Sequence, residues 1–315
     1  MKHGEGEVNK RKISRRTFVA GAAAGALAAP ALRARAFVST QHTRDIAVAG
    51  GADAAANARA AVEALGGMGH FVSPGQTVAL LPNVQIPTPG ASIDLAIVRT
   101  VADMCREAGA TEVRWLTWYP QRFWDRLNLH QQVVDCGAVL VYSDHENAGQ
   151  WATIEVPRGV ILRQIRVIKS LYESDVFINM PISKHHAGSS FTCSLKNYMG
   201  ASHPEDNRPF HPTYGAEYAV HMGQCIADLN TAARPADLYI ADAMEVLTSN
   251  GPMGPGDVAR PQRVVAGTDR VAVDSYCAAL LGLNATEIHM IRLAHQHGLG
   301  QIDLSSLNIS EIETG

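Results

Sequence analysis

Basic and amide side chains gather just after a short apolar run in the middle of the chain: Lys184, His185, His186, Lys196 and Asn197. Two neighbouring lysines can clamp a phosphate or a carboxylate, and a lysine whose pKa is depressed can serve as a base or a nucleophile. These residue types predict a site for a small anion or a metal ion, with Lys184, His186 and Lys196 as the catalytic candidates. Solvated lysines and hydrogen-bonded loop histidines are the plainer interpretation.

Histidines are dense in this part of the chain, since five of the thirteen fall between residues 185 and 221. Histidine transfers protons near neutral pH and is the commonest metal ligand, and His186 and His211 are the candidates for both roles. His185 and His186 point to opposite sides if the chain is extended, so one of them is expected to face the site. The chain has no HExxH motif of a zinc helix. His221, inside a predicted helix, is interpreted as structural.

The ends of predicted strands explain how these residues reach one place. The run Val176–Met180 predicts a buried strand, and in open α/β sheets ligands bind beyond the carboxyl ends of the strands. Asn83 follows an earlier strand and Asp242 ends a later one. Turn and cap formation is the alternative role for such residues. The full set of predicted ligand-binding residues is Asn83, Asn197, His211, Asp242 and Asp274.

Hydrophobic periodicity predicts alternating strands and helices. Predicted strands cover residues 77–81, 112–118, 138–142, 176–180 and 263–267, and a further strand within residues 236–246 ends at Asp242. Predicted helices cover residues 54–65, 93–105, 122–134, 214–229, 270–281 and 285–297. A turn at residues 157–159 separates two further short strands, and Lys184 to His186 are expected in a loop. This alternation is typical of an α/β fold with a mostly parallel, mixed sheet covered by helices, and it predicts a single domain over residues 37–315.

Composition narrows the class of partner. The formal net charge is −3, and no basic run follows the first sixteen residues, which argues against nucleic acid or an anionic membrane surface. The five cysteines are scattered singly without a CxxC pair, so the chain carries no iron–sulfur ligand set. The sequence names no cofactor beyond a metal ion.

The first 36 residues have the composition of an export signal. A basic segment precedes an apolar, alanine-rich run over residues 18–32, which is shorter than the ~20 residues of a membrane-spanning helix. Residues 14–18, SRRTF, resemble the core of the twin-arginine signal. That resemblance implies export of the folded protein by the twin-arginine translocation machinery to the periplasm or beyond. A retained anchor, or a basic tail before a core helix, is the alternative.

Several longer pieces together resemble the domain-of-unknown-function family 362: SDVFINMPISKHH, SLKNYMG, CIADLN, LYIADAMEV, NGPMGPG and AGTDRVAVDSYCAALLGL. The polar positions that match the family are Asn83, Lys184, His186, Lys196, Asn197, His211, Asp228, Asp242, Asp269 and Asp274. Members are often joined to ferredoxin-type iron–sulfur modules, and this chain lacks the cysteine-rich module. The resemblance implies a fold and a site, and it implies no particular reaction.

Three functions remain open on the sequence. The first is an exported protein, enzyme or binding protein, that holds a small anion or a metal ion in a Lys/His/Asn/Asp pocket at the rim of the sheet. The second is a non-catalytic periplasmic metal-binding or redox-partner protein. The third is a hydrolase-like enzyme that uses a serine or cysteine near the histidines. Its nucleophile would be Ser189, Ser190, Cys193 or Ser194, although no GxSxG motif is present.

Overall fold

A computed structural model of the chain describes Met1 and residues 45–84, 87–119, 125, 128–211 and 217–315. The chain divides into two units, Met1–Ser39 and Thr40–Gly315. All elements described below belong to the second unit. The predicted export signal lies outside the described residues.

One large sheet forms the centre of the described part of the molecule. Eight strands build it in the spatial order β14-β1-β13-β10-β7-β2-β3-β4. Their bounds are β1 Ile46–Gly50, β2 Thr77–Pro82, β3 Glu112–Thr117, β4 Val139–Tyr142, β7 Val176–Met180, β10 Leu238–Ala243, β13 Arg263–Gly267 and β14 Ile309–Glu313. The pairings β10–β7, β7–β2, β2–β3, β3–β4 and β1–β14 are parallel, whereas β13 runs antiparallel to both β1 and β10.

Eight helices are described, and they cover both faces of this sheet. They are α1 Ala54–Ala64, α2 Leu95–Glu107, α3 Leu129–Asp135, α4 Lys169–Glu173, α5 Ser194–Asn197, α6 Tyr218–Ala232, α7 Arg270–Leu280 and α8 His289–Gln296. Alternate residues of a strand point to opposite faces, so Ile178 of β7 belongs to the core cluster that contains residues of α1 and α2, whereas Phe177 belongs to the cluster that contains residues of α6, α7 and α8. Burial on both faces accounts for the continuous apolar runs of the central strands.

Three short hairpins stand outside the large sheet. They are β5 Trp151–Glu155 with β6 Gln164–Ile168, β8 Lys184–His186 with β9 Ser190–Thr192, and β11 Val246–Leu247 with β12 Val258–Ala259. The described 3-10 turns are Met68–His70, Ala148–Gln150, Tyr198–Ala201, Arg208–Phe210, Ala285–Glu287 and Leu304–Ser306. The hairpin β8–β9 follows the carboxyl end of β7 and carries the predicted site residues Lys184 and His186.

The predicted fold class is confirmed, with corrections to individual elements. Strands β1 and β14 occur where no strand was predicted, and the hairpin β8–β9 replaces the loop expected at Lys184. The predicted helix 122–134 is described only at Asp125 and from Asn128 onward, with α3 beginning at Leu129. The predicted helix 285–297 divides into a 3-10 turn and α8. Among the helices described, none combines the length and apolar character that crossing a membrane requires.

Candidate functional site

A cavity of about 490 Å³ opens where the central parallel strands end. Asn83 follows the last residue of β2, Trp118 follows that of β3, and the hairpin β8–β9 begins four residues beyond β7. The residues lining the cavity are Asn83, Trp118, Tyr119, Lys184, His186, Thr192, Lys196, Asn197, Met199, Gly200, Pro204, Asn207, Arg208, His211 and Pro252. The carboxyl edge of the sheet therefore brings together residues that are more than 160 positions apart in the sequence.

Lys196 presents its ammonium group to this cavity without a compensating partner. It lies on the four-residue helix α5 and is half-buried. Among the residues that the structure describes, none accepts a hydrogen bond from its Nζ or forms an ion pair with it. Burial lowers its pKa from 10.5 to about 8, because a charged group loses hydration inside the protein. Lys196 is thus mostly charged at pH 7, and no described residue supplies a counter-charge to it.

Asp274, a fully buried residue of α7, accepts hydrogen bonds from the first amides of helix α5. Its Oδ1 accepts from the amide of Ser194 at 2.7 Å, and its Oδ2 accepts from the amide of Leu195 at 3.1 Å. These are the first amides of α5, which have no partner inside the helix. Burial raises the pKa of Asp274 to about 7. Asp274 does not line the cavity, so its part is to position the backbone that carries Lys196.

Lys184 on β8 is tied to two backbone carbonyls. Its Nζ donates to the carbonyl oxygen of Ala91 and, at 3.1 Å, to that of Pro252. The residue is 1% exposed, and burial together with the charge of Lys196 lowers its pKa to about 7. A neutral amine has two hydrogens and one lone pair, so two carbonyl acceptors suit the neutral form. Lys184 therefore has the chemistry of a base close to neutral pH.

His186 is fixed in one tautomer. Its Nδ1 accepts from the backbone amides of Gly188 at 2.9 Å and Ser189 at 3.1 Å, so the ring proton belongs on Nε2. Burial, followed by the charges of Lys196 and Lys184, lowers its pKa to about 2. His186 is consequently a neutral donor through Nε2 over the whole physiological range.

A chain of buried amides supports the floor of the cavity. Asn83 Nδ2 donates to Asn197 Oδ1 at 2.9 Å, and Asn197 Nδ2 donates to Asn179 Oδ1 at 2.7 Å and to the carbonyl of Leu81 at 2.9 Å. Asn179 in turn donates to the carbonyl of Ser194 at 3.0 Å. The chain links the ends of β2 and β7 to helix α5 and fixes which atom each amide presents.

The electrostatic character of the wall is positive. Three of the lining residues named above are basic (Lys184, Lys196 and Arg208), and no aspartate or glutamate is among the described lining residues. His211 lies exposed at the rim, where its Nδ1 is 2.8 Å from the hydroxyl of Tyr218, and burial with the charge of Lys196 lowers its pKa. This excess of basic over acidic groups among the described lining residues favours an anionic ligand.

The structure brings together six of the predicted residues and leaves two outside. Asn83, Lys184, His186, Lys196, Asn197 and His211 line the cavity. Asp242 is buried elsewhere, at a second depression, and accepts from the amides of Asp94 and Met244, each at 2.7 Å. Its oxygens hold the backbone after β10, and burial raises its pKa to about 7. The expectation that Asp242 and Asp274 contact the ligand in this cavity is corrected on these placements.

Two other acidic positions of the family resemblance have structural roles. Asp269 caps α7 by accepting from the amides of Val271 and Ala272. Asp228 accepts from the amide of Ile161 at 2.6 Å and ties the turn between β5 and β6 to α6.

The geometry gives no support to the predicted metal ligands His186 and His211. Within the described part of the chain, no three His, Cys, Asp or Glu side chains come together as a metal-binding group. The tautomer of His186 is a further obstacle, because Nε2 would have to lose its proton or Nδ1 would have to give up two amide donors. None of Ser189, Ser190, Cys193 and Ser194 lines the cavity, and burial raises the pKa of the Cys193 thiol well above its usual range.

Sequence reasoning missed several residues of the wall. Trp118 and Tyr119 follow β3 as Asn83 follows β2, so the rule of strand ends that selected Asn83 also indicates them. Asn179 is an amide within an apolar strand, which is itself a signal of a buried polar contact. Thr192, Asn207 and Arg208 reach the cavity through the β8–β9 hairpin and a 3-10 turn, which no periodicity marks.

The fold and the site together define an α/β protein with a cationic cavity at the carboxyl edge of a mixed sheet. The chain belongs to the family described as domain of unknown function (DUF362), whose model matches residues 78–279. All of the lining residues named above fall within that range.

Comparison with known proteins finds one relative and two solved structures of note. A thylakoid-associated protein of Synechocystis sp. is 27% identical over 249 residues, which cover 78% of this chain and 75% of that protein. The lactate racemase apoprotein of Thermoanaerobacterium thermosaccharolyticum aligns with a TM-score of 0.48 and 12% identity over 76% of this chain. A Thermotoga maritima protein aligns with a TM-score of 0.38 and 11% identity over 72% of this chain. The alignments span 57% and 56% of those two solved chains.

Proposed function

We propose that this protein binds a small anion in the cavity and that Lys196 supplies the opposite charge. The observation that carries the proposal is the ammonium of Lys196, which has no partner among the described residues and shares the cavity with described lining residues that include no carboxylate. An ionised donor that meets an anion forms one of the stronger hydrogen bonds in proteins.

The remaining groups suggest that the bound molecule is also a substrate. His186 offers a neutral Nε2 donor, and Lys184 offers an amine that is close to half-neutral at pH 7. A charged anchor, a neutral donor and a base in one cavity make up the set required for proton transfer to or from a bound anion.

Substitution of Lys196 by methionine tests the binding proposal. Methionine keeps most of the length of the side chain and removes the charge. We expect the affinity for sulfate and for malonate, measured by titration calorimetry, to fall by about 10- to 100-fold, since a charge-assisted hydrogen bond contributes roughly 1.5–3 kcal/mol. The thermal midpoint should stay the same or rise, because a buried charge is removed.

Lys169 provides the matched control. It is exposed on α4 and pairs with Glu173 at 3.2 Å, so Lys169→Met also removes one lysine charge and should leave anion binding unchanged. The proposal fails if Lys196→Met binds both anions as tightly as the unaltered protein. It also fails if the unaltered protein binds neither of these two anions nor a larger carboxylate or phosphate at about 10 mM.

We also propose that the protein is exported by the twin-arginine route. The support is the basic and apolar pattern of residues 1–36 with its SRRTF core. An exported protein would meet its anion outside the cytoplasm.

A further inference from the structure

Buried polar atoms without partners are concentrated at the cavity. Five such side-chain atoms occur among the described residues: Asn83 Oδ1, Trp118 Nε1, Thr192 Oγ1, Tyr198 Oη and Asn207 Oδ1. Four of the five belong to residues that line the cavity. A buried polar group left unpaired costs roughly 1–3 kcal/mol, so native proteins hold few of them. Their concentration at one wall indicates that a bound molecule completes their hydrogen bonds.

The two asparagines are fixed as acceptors. Asn83 uses its Nδ2 to donate to Asn197, and Asn207 uses its Nδ2 to donate to the carbonyl of Met199 at 3.1 Å. Each residue is less than one-tenth exposed, at 6% for Asn83 and 9% for Asn207. Their free Oδ1 atoms can be satisfied only by a donor. A carboxylate or a sulfate consists of acceptors alone and cannot supply one.

The cavity is therefore complementary to a molecule that carries both a negative charge and hydrogen-bond donors. A negative group would pair with Lys196, and hydrogen-bond donors would pair with the Oδ1 atoms of Asn83 and Asn207. The hydroxyl of Thr192 can pair with a donor or with an acceptor. Hydroxyl groups both donate and accept. A volume of about 490 Å³ lies within the usual range of small-molecule sites and exceeds what a single inorganic ion fills.

We propose that the anion bound by this cavity is polyhydroxylated, with a carboxylate or phosphate held at Lys196 and hydroxyl groups paired with Asn83, Thr192 and Asn207. Sugar acids and sugar phosphates have this chemistry. The proposal rests on the proposed function, because it assigns the class of molecule that the same cationic site takes.

Matched pairs of six-carbon anions test it from the side of the ligand. Gluconate and hexanoate share chain length and carboxylate and differ in their hydroxyls, and glucose 6-phosphate and n-hexyl phosphate form the corresponding phosphate pair. Titration calorimetry on the full chain should show at least about tenfold tighter binding of the hydroxylated member of one pair, equal to about 1.4 kcal/mol. The pair that shows it distinguishes a carboxylate from a phosphate ligand.

Substitution of Thr192 by valine tests it from the side of the protein. Valine keeps the β-branched shape that suits strand β9, and the hydroxyl that it removes makes no hydrogen bond. We expect the thermal midpoint to stay the same or rise, while the affinity for the hydroxylated member falls by about 5- to 30-fold. The affinity for its deoxygenated counterpart should not change. Thr153→Val, at an exposed position of β5, serves as the control.

The outcomes separate this inference from the proposed function. Equal affinity for both members of each pair, or equal loss of both in Thr192→Val, overturns the hydroxyl assignment and leaves a site for simple anions. If none of the four anions binds at about 10 mM, the hydroxyl assignment fails as well. If sulfate and malonate are then also not bound, the proposed function fails with it.

Discussion

Lys184 links the stability of the protein to the chemistry of the cavity. Its pKa of about 7 in the folded protein lies far below the ordinary value of 10.5, so the unfolded chain binds an additional proton between these two values. Stability contributed by this residue therefore rises with pH above about 7. Lys184 is the candidate base of the site, and below about pH 7 its side chain is a buried charge that destabilises the fold.

Lys184→Met should remove this pH dependence. Relative to the variant, the unaltered protein should gain about 2 kcal/mol in free energy of unfolding between pH 7 and pH 9, since one proton contributes at most about 1.4 kcal/mol per pH unit. Urea denaturation at several pH values measures the difference. Lys169→Met provides the comparison, and its curve should run parallel to that of the unaltered protein. Parallel curves for Lys184→Met would show that Lys184 keeps an ordinary pKa.

The pH dependence of anion affinity distinguishes the roles of the two lysines. The pKa of Lys196 is about 8, and only its charged form attracts an anion, so affinity should fall as pH rises. Between pH 6 and pH 9 the affinity for sulfate should fall about tenfold if Lys196 alone must be charged, and about a thousandfold if Lys184 must be charged as well. We expect the smaller change. A flat profile would contradict the assignment of Lys196 as the anchor.

These lysines were predictable from sequence, whereas much of their surroundings was not. Residue type and position after a strand pointed to Lys184, His186 and Lys196. The direction of an amide in Asn207 depends on which carbonyls lie beside it, and the tautomer of His186 depends on two amides of the following turn. Such contacts arise only after the chain has folded.

Helix α5 shows how one short element depends on another. Four residues cannot form a stable helix by themselves, and the carboxylate of Asp274 on α7 accepts from two of its first amides. The sequence placed Asp274 within one turn of a helix start but could not show that it caps a different helix. It acts on the site through the position of Lys196.

Asp274→Asn should weaken both the fold and the site. An asparagine can accept from one amide but turns an N–H donor toward the other, so we expect a loss of about 1–3 kcal/mol in free energy of unfolding. Anion affinity should fall as well because α5 shifts. Asp269→Asn is the matched control, since it disturbs the cap of α7 at a residue outside the cavity. It should lower stability and retain affinity. Unchanged anion affinity in Asp274→Asn would rule out the positioning role.

Strands β1 and β14 and the hairpin β8–β9 are among the elements that sequence periodicity missed. β1 consists of small and medium apolar residues within an alanine- and glycine-rich region, and β14 alternates isoleucine with polar residues at the edge of the sheet. The strands of the hairpin have three residues each, which is too short for a period of two to be read. Their pairing is decided by contacts far along the chain, as between Ile46 and Ile309.

The described cavity lining and the strands at one side of the sheet lie in different parts of the chain. The range matched by the family model, residues 78–279, contains every lining residue of the cavity named above, whereas β1 and β14 lie outside it and complete one side of the sheet. Each strand of the parallel half, β10-β7-β2-β3-β4, was predicted from periodicity, whereas its place in the sheet was not. The mixed half, where β13 runs antiparallel between β1 and β10, required knowledge of long-range pairing.

The redox state of the cysteines is relevant to the compartment in which the protein folds. All five are buried and free: Cys105, Cys136, Cys193, Cys225 and Cys277. Unpaired thiols are typical of folding in a reducing compartment, and the twin-arginine route that residues 14–18 resemble carries proteins that are already folded. A protein folded before export would keep its thiols shielded from an oxidising exterior.

Replacement of Arg15 and Arg16 by lysine should therefore abolish export without affecting the fold. In a host with the twin-arginine machinery, cell fractionation should find the unaltered protein outside the cytoplasm and the Arg15→Lys, Arg16→Lys variant inside it. Arg33→Lys with Arg35→Lys, the second arginine pair of the same segment, controls for charge and should be exported. Alkylation of the exported protein after denaturation should add five labels, one for each free thiol. Equal export of both variants would exclude the twin-arginine route, and fewer than five labels would show that the thiols are oxidised after export.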